Sequence, residues 1–244
     1  MASFSITIPA RFASTRLPGK PLALIHGKPM IQWVVENAKR ARGCERVVVL
    51  TDDARVEEAV KSFKGDVIMT SPDLKSGTDR MAAVLDQISS SILVNVQGDE
   101  PMMPPEAMEA VVDLIREGRF QLTTAATPLE THAELMEPSV VKVIQDSKGK
   151  AIYFSRFPIP YSREAAPQKD FICKRHLGIY AFSRELLKKW TTFSQTELER
   201  AESLEQLRAL HNGIEIGVVE GNWKSIGVDT PQDLETVRNL LKSN

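Results

Sequence analysis

Apolar positions follow two rhythms along the first hundred residues. Short runs rich in β-branched residues at Phe4–Ile8, Val47–Thr51, Asp66–Met69 and Ile92–Val96 predict strands. Between them, Met30–Arg42 places Ile31, Val34, Val35 and Ala38 on one helical face, and Val56–Phe63 and Met81–Ile88 repeat that stripe. Strands alternating with crossover helices predict an α/β fold whose sheet is mostly parallel.

The rhythm changes after the helix that Pro104 and Pro105 open. Strand patterns at Leu122–Ala126, Val140–Gln145, Ala151–Phe154 and Leu177–Phe182 follow with few long helices between them, which implies a mixed or antiparallel extension. The tetrad Asp146-Ser147-Lys148-Gly149 suits a hairpin turn, because aspartate and glycine adopt turn geometry at low cost. The polar, proline-containing stretch Ser162–Lys174 reads as a loop. A helix is expected at Glu202–His211, a strand at Ile214–Val219, and a last helix from Pro231, capped by the Thr230 hydroxyl. There is no internal repeat and no low-complexity linker, so one domain over 1–244 is expected, with 120–190 as its extension.

Composition narrows the function classes. With 244 residues and 42% hydrophobic content the chain can fill a substantial core. Lysine plus arginine total 31 against 32 acidic residues, so no global field would hold it on nucleic acid or anionic lipid, and an anionic ligand must be caught locally. Cys44 and Cys173 lie far apart without a CxxC partner, which suggests neither a disulfide framework nor zinc and suits a reducing cytosol. The Phe4–Ile8 run is too short for a signal-peptide core, and no apolar run approaches the roughly 20 residues that span a bilayer. A cytoplasmic location without membrane insertion is the expectation.

Local chemistry begins in the loop after the first strand, Pro9 to Pro21, which carries Arg11, Arg16 and Lys20. Loops leaving the carboxyl ends of strands bind ligands in open α/β sheets, and three fixed cations suit a triphosphate of roughly four negative charges. An arbitrary basic loop is more often simply solvated. The loop matches neither GxxxxGK[ST] nor GxGxxG, and Ser14 lacks the GxSxG setting of a hydrolase nucleophile.

Asp99, in Asn95-Val96-Gln97-Gly98-Asp99-Glu100-Pro101, falls at the carboxyl end of the fourth predicted strand, beside the same crevice. Asp229, in Gly227-Val228-Asp229-Thr230-Pro231, precedes the last helix. Hard oxygen donors of this kind suit Mg²⁺, which binds one or two carboxylates plus substrate phosphates and water. Either aspartate could equally be a cap or turn former. Glu100 is left out of the metal pair, since strand alternation can turn it away.

Seven strings agree with one family in order: IPARFASTRLPGKPL at 8–22, SGTDR at 76–80, NVQGDEP at 95–101, YFSR at 153–156, RHLGIY at 175–180, LEQLR at 204–208 and GVDTP at 227–231. On these the chain closely resembles the 3-deoxy-manno-octulosonate (Kdo) cytidylyltransferases over nearly its whole length. The resemblance implies a Rossmann-like nucleotidyltransferase fold of the glycosyltransferase-A kind, with a central mixed, mostly parallel sheet and a β-rich dimerisation extension. It further implies a cytoplasmic homodimer that uses CTP, Kdo and Mg²⁺ to supply activated Kdo for lipopolysaccharide.

Carried onto this chain, Ala10, Arg11, Arg16 and Lys20 match the CTP loop, with Ser76, Gly77 and Arg80 near the nucleotide. Asp99 and Asp229 match the metal aspartates, and with Arg16 and Lys20 they form the expected catalytic set. Gln97, Arg156, His176, Tyr180, Glu205 and Gln206 match the sugar-acid pocket, where Arg156 could take a carboxylate bidentately. Each also has a plainer reading: His176 and Tyr180 as a half-buried structural pair, Glu205 and Gln206 as surface polarity, Arg80 as an ion-pair partner.

The first loop departs from the PARGGSK of CMP-sialate synthetases and from the glycine-rich loop of sugar-1-phosphate nucleotidyltransferases. A catalytically silent nucleotide-binding module would be expected to lack a metal aspartate. Asn222–Ile226 aligns to no consensus, and the choice between Kdo and its 8-amino analogue is not written in the sequence.

Overall fold

The computed structural model describes residues 2–13, 16–161, 163 and 171–241. Ser14, Thr15 and most of the predicted 162–174 loop lie outside the described residues.

In chain order the elements are β1 (Phe4–Pro9), β2 (Leu24–Ile25), β3 (Lys28–Pro29), α1 (Met30–Ala38), β4 (Cys44–Thr51), α2 (Ala54–Ser62), β5 (Asp66–Met69), α3 (Gly77–Ala83), β6 (Ile92–Val96) and α4 (Pro105–Arg116). There follow β7 (Leu122–Thr127), α5 (His132–Met136), β8 (Lys142–Gln145), β9 (Ala151–Ser155), β10 (Lys174–Ser183), α6 (Arg184–Trp190), α7 (Glu197–Glu202), α8 (Gln206–His211), β11 (Ile216–Glu220) and α9 (Pro231–Leu241). None of the described helices is long and apolar enough to cross a membrane. The chain divides into two compact units, Met1–Glu109 with Lys224–Asn244, and Ala110–Trp223.

In the first unit β1 pairs in parallel with both β4 and β6, and β4 with β5. Ile6 lies between Val47 and Val94, and β1 and β6 are buried throughout, as strands covered on both faces must be. The C-terminal segment returns here: Val228, Leu234 and Val237 pack with Ile25 and Met30 in one buried cluster.

In the second unit β10 runs antiparallel to β7 and β8, β8 antiparallel to β9, and β11 parallel to β7. The predicted hairpin turn closes β8–β9, with Asp146 N–H donating to Lys150 O and Gly149 at φ +77°. Parallel ladders in one unit and mixed ladders in the other make an α/β fold with a mixed sheet.

Three helices differ from the sequence pattern. The expected Met81–Ile88 helix begins earlier, because Ser76 and Asp79 form a reciprocal capping box, and it gives way to a 3₁₀ turn at Leu85–Gln87. The Met30–Arg42 helix stops at Ala38, ahead of Gly43 at φ +76°. The Glu202–His211 helix is two helices, since Ser203 adopts a left-handed conformation (φ 52°) and ends α7.

Candidate active site

Two tight backbone approaches shape the mouth of the first unit. Ala10 N–H donates to Leu50 O at 2.9 Å, continuing β1 beyond its last pair, and Gly98 N–H donates to Pro9 O at 3.2 Å. A Cβ at Gly98 would stand 2.8 Å from the Pro9 carbonyl oxygen, so only glycine lets the β6 loop lie this close to the β1 loop. Here a cleft of about 350 Å³ opens, whose lining includes Ala10, Arg11, Arg16, Lys20, Gly77, Gln97, Asp99 and Asp229.

The two aspartates come from opposite parts of the chain and are fixed together by backbone. Val228 is wholly buried and its N–H donates to Asp99 O at 2.8 Å, which brings the next residue, Asp229, to the same cleft. The start of α9 holds this turn. Asp233 accepts from the N–H groups of Asp229 (3.1 Å) and Thr230 (2.8 Å), while Thr230 Oγ1 accepts from Asp233 N–H at 3.2 Å. Burial alone would raise the Asp233 pKa, yet these hydrogen bonds hold it below the usual carboxylate value.

Between the carboxylates lies one ammonium. Lys20 Nζ is 2.5 Å from Asp99 Oδ2 and 3.0 Å from Asp229 Oδ1. Burial would depress this lysine, but the two carboxylates outweigh it and its pKa is raised. Arg16, far more exposed, reaches Asp229 Oδ2 at 3.0 Å. The pair therefore already gathers positive charge with hard oxygen donors, the chemistry a magnesium ion requires, and two carboxylates leave further positions for phosphate oxygens and water. Among the described residues no group of three or more potential metal ligands occurs.

Glu100, left out of the metal pair, turns elsewhere: its Oε2 accepts from Ser225 Oγ at 2.5 Å. It thereby anchors the 225–229 segment, whose Gly227 lies so close that a Cβ would stand 2.9 Å from Glu100 Oε1.

The other nucleotide-loop candidates divide. Arg11 and Gly77 line the cleft, and an Arg11 N–H group donates to Leu74 O. Ser76 is spent on the α3 cap. Arg80 is fully buried, bound to Asp52 at 2.5 Å, Thr70 Oγ1 and Ser71 O, so it shapes the 70–71 turn.

The remaining candidates other than Gln97 belong to the second unit. His176 and Tyr180 share β10, whose register jumps between Leu177 and Tyr180. A regular strand would separate such positions by roughly 13 Å, yet the bulge brings the rings to 5.3 Å between centroids. Thr124 Oγ1 donates to Ile179 O at 2.7 Å and accepts from His176 Nε2 at 2.9 Å, which fixes the tautomer. Burial lowers the His176 pKa to about 3, so the imidazole is neutral. Burial, followed by the charge of Glu205, raises the Tyr180 hydroxyl well above its ordinary value.

Among the described residues, Tyr180 Oη and Gln206 Nε2 are buried with no hydrogen-bond partner. Each such group costs about 1–3 kcal/mol, a penalty that a polar ligand would remove. Arg156 spends three of its N–H groups on the carbonyls of Glu202 (2.7 Å), Pro138 (3.1 Å) and Ser203 (3.3 Å), so its guanidinium clamps the α7–α8 break. The bidentate carboxylate fork expected from sequence is thus largely committed to backbone. The sequence carried no signal for this clamp, since it depends on a left-handed serine.

A parallel β-sheet with a basic loop beyond β1, one aspartate beyond β6 and a second before α9 defines a nucleotide-handling α/β protein of the nucleotidyltransferase class. The family model for cytidylyltransferases matches residues 6–216, and the chain belongs to that family. It is 46% identical to a 3-deoxy-manno-octulosonate cytidylyltransferase of Aliivibrio fischeri, covering 98% of this chain and 99% of that one. It is 48% identical to the enzyme so named in Geobacter sulfurreducens, over 96% and 98%. A solved structure of CMP:2-keto-3-deoxy-manno-octonic acid synthetase complexed with CTP superposes with a TM-score of 0.92 at 45% identity, covering 99% of both chains. An inositol-1-phosphate CTP transferase from T. maritima, at 17% identity and TM-score 0.72 over 99% and 96%, shares the fold.

Proposed function

We propose that this chain transfers CMP from CTP to Kdo, releasing pyrophosphate. The observation that carries it is the Lys20 ammonium held between Asp99 and Asp229 at the foot of a basic loop. Kin 45–48% identical over nearly the whole chain bear this activity in their names.

The anomeric oxygen of Kdo forms a bond to the α-phosphorus of CTP as the bond from that phosphorus to the bridging oxygen of pyrophosphate breaks, and the hydroxyl proton passes to solvent. Asp99 and Asp229 would hold Mg²⁺, which when bound neutralises phosphate charge and lowers the pKa of a coordinated hydroxyl. Arg11, Arg16 and Lys20 bind the triphosphate, and Arg16 with Lys20 stabilises the departing pyrophosphate. Lys20 reaches this role by exchanging carboxylate for phosphate as its counter-charge. His176, Tyr180, Glu205 and Gln206 of the second unit receive the sugar acid. A neutral His176 and an un-ionised Tyr180 offer hydrogen bonds to hydroxyls without adding charge.

A cytoplasmic homodimer feeding lipopolysaccharide synthesis completes the reading. The second unit exposes Ile152 (55%), Phe157 (73%) and Ile172 (77%), apolar surface that a second copy would cover.

Pyrophosphate release is the test, with CTP, Mg²⁺ and Kdo, beside sialic acid, 8-amino-Kdo and each other nucleoside triphosphate. Release restricted to CTP with Kdo is expected. Turnover of another acid in its place would change the substrate, and no release with any acid would overturn the reading.

A further inference from the structure

Lys142 opens β8 between Val141 and Val143, and its side chain is wholly buried. Lysine is almost never found there without a partner. Among the described residues no carboxylate forms an ion pair with it. Its three N–H bonds go to backbone carbonyls instead: Glu137 O at 3.0 Å, Val140 O at 2.7 Å and Arg156 O. An ammonium has three donors, so this set uses all of them.

The carbonyl of Arg156 lies at the base of a second set of bonds. Arg156 N–H donates to Glu202 Oε2 at 2.8 Å, Ser155 Oγ donates to Glu202 Oε1 at 2.7 Å, and the Arg156 guanidinium holds the Glu202 and Ser203 carbonyls. From that left-handed serine the chain turns at once into Glu205, at the start of α8, and Gln206, whose Nε2 is buried with no partner among the described residues.

We infer that Lys142 is a positioning residue for the acceptor pocket: a buried strut that holds Arg156, which holds the 202–203 turn and so aims Glu205 and Gln206. It touches no substrate itself. The inference rests on the assignment of the sugar-acid acceptor to this pocket, and it adds the residue that keeps the pocket in register. A lysine rather than an apolar residue suits this position because three backbone carbonyls converge on its ammonium. Burial lowers the Lys142 pKa, in keeping with a charge held only by carbonyl dipoles and distant acidic groups.

The test is Lys142→Met, which keeps the length of the side chain and removes its donors, with Lys142→Gln as the conservative variant and Glu202→Gln acting on the same turn from its other side. KM for Kdo should rise about 10-fold in Lys142→Met while KM for CTP stays within about twofold, the size expected for a displaced binding group. Lys142→Gln, still able to donate two hydrogen bonds, should recover part of that loss. Amide hydrogen exchange supplies a readout that needs no substrate: segments within 197–210 should exchange faster, and those within 4–9 and 92–96 should not.

If Lys142→Met does not fold, Glu202→Gln carries the same two expectations. Unchanged exchange at 197–210 in a folded variant, or equal rises in KM for CTP and Kdo, would overturn the inference. Wild-type protein that turns over no sugar acid, while the variants still loosen 197–210, would instead overturn the acceptor assignment.

Discussion

Lys20 Nζ stands 2.5 Å from Asp99 Oδ2, in a contact where the lysine side chain is only 14% exposed. This cation, far less exposed than Arg16, is thus matched to the carboxylate that follows β6. Asp99→Asn keeps the shape and removes the charge. Steady-state assays should show turnover reduced at least about 100-fold, the scale of a lost electrostatic group in a preorganised site, with the thermal midpoint shifted by no more than a few degrees. Near-normal turnover would sink the metal role.

Asp229 is more exposed and shares Lys20 with Asp99. A chelator should abolish turnover of the wild type. Asp229→Asn should raise the Mg²⁺ concentration for half-maximal activity by about 10-fold or more, since loss of one anionic donor weakens a site with few protein ligands. Activity measured across a magnesium titration decides it, and identical curves would show that Asp229 is a cap and no more.

Gly98→Ala tests the close approach of the two loops. The added methyl would lie 2.8 Å from the Pro9 carbonyl oxygen, a backbone atom that cannot swing aside. A destabilisation of about 1–3 kcal/mol is expected, with weaker CTP binding because Ala10 and Arg11 follow Pro9 directly. Denaturant unfolding together with calorimetric CTP titration checks both parts.

His176 sets an acid limit. Its folded pKa of about 3 lies below the ordinary 6.5, so between these values the unfolded chain binds a proton that the folded chain refuses. Stability should therefore be unaffected by this group above about pH 6.5 and fall by up to about 1.4 kcal/mol per pH unit below it. Denaturant midpoints at pH 7.5, 5.5 and 4.5 should drop less steeply in His176→Gln. Parallel curves would show that other groups govern the acid limb.

Much of the fold was legible because periodicity reports burial. β5 and β6 match their sequence ranges, and β1, where all six residues are buried, differs by one. Helix ends were less legible, because they are fixed by single hydrogen bonds. The Ser76–Asp79 box lay inside a string valued for its chemistry, and the break at Ser203 depends on a non-glycine residue adopting positive φ. Of the site, the Asp99 and Asp229 pair stood out through its position at strand and helix ends. Arg80 is the ion-pair partner that its plainer reading allowed, bound to Asp52, whereas the task of Arg156 did not stand out, since an arginine bound to backbone carbonyls reads in sequence like one that meets a ligand.

The partners Lys20 and Asp229 are separated by 209 positions in the chain. Synthesis must therefore reach residue 229 before the cleft gains its second carboxylate. A chain ending before this point lacks the segment that buries Val228 beside Asp99 and presents Asp229. The second carboxylate of the proposed metal pair thus depends on the segment that leads into α9, so a chain cut short of residue 229 should lose the magnesium dependence expected of Asp229.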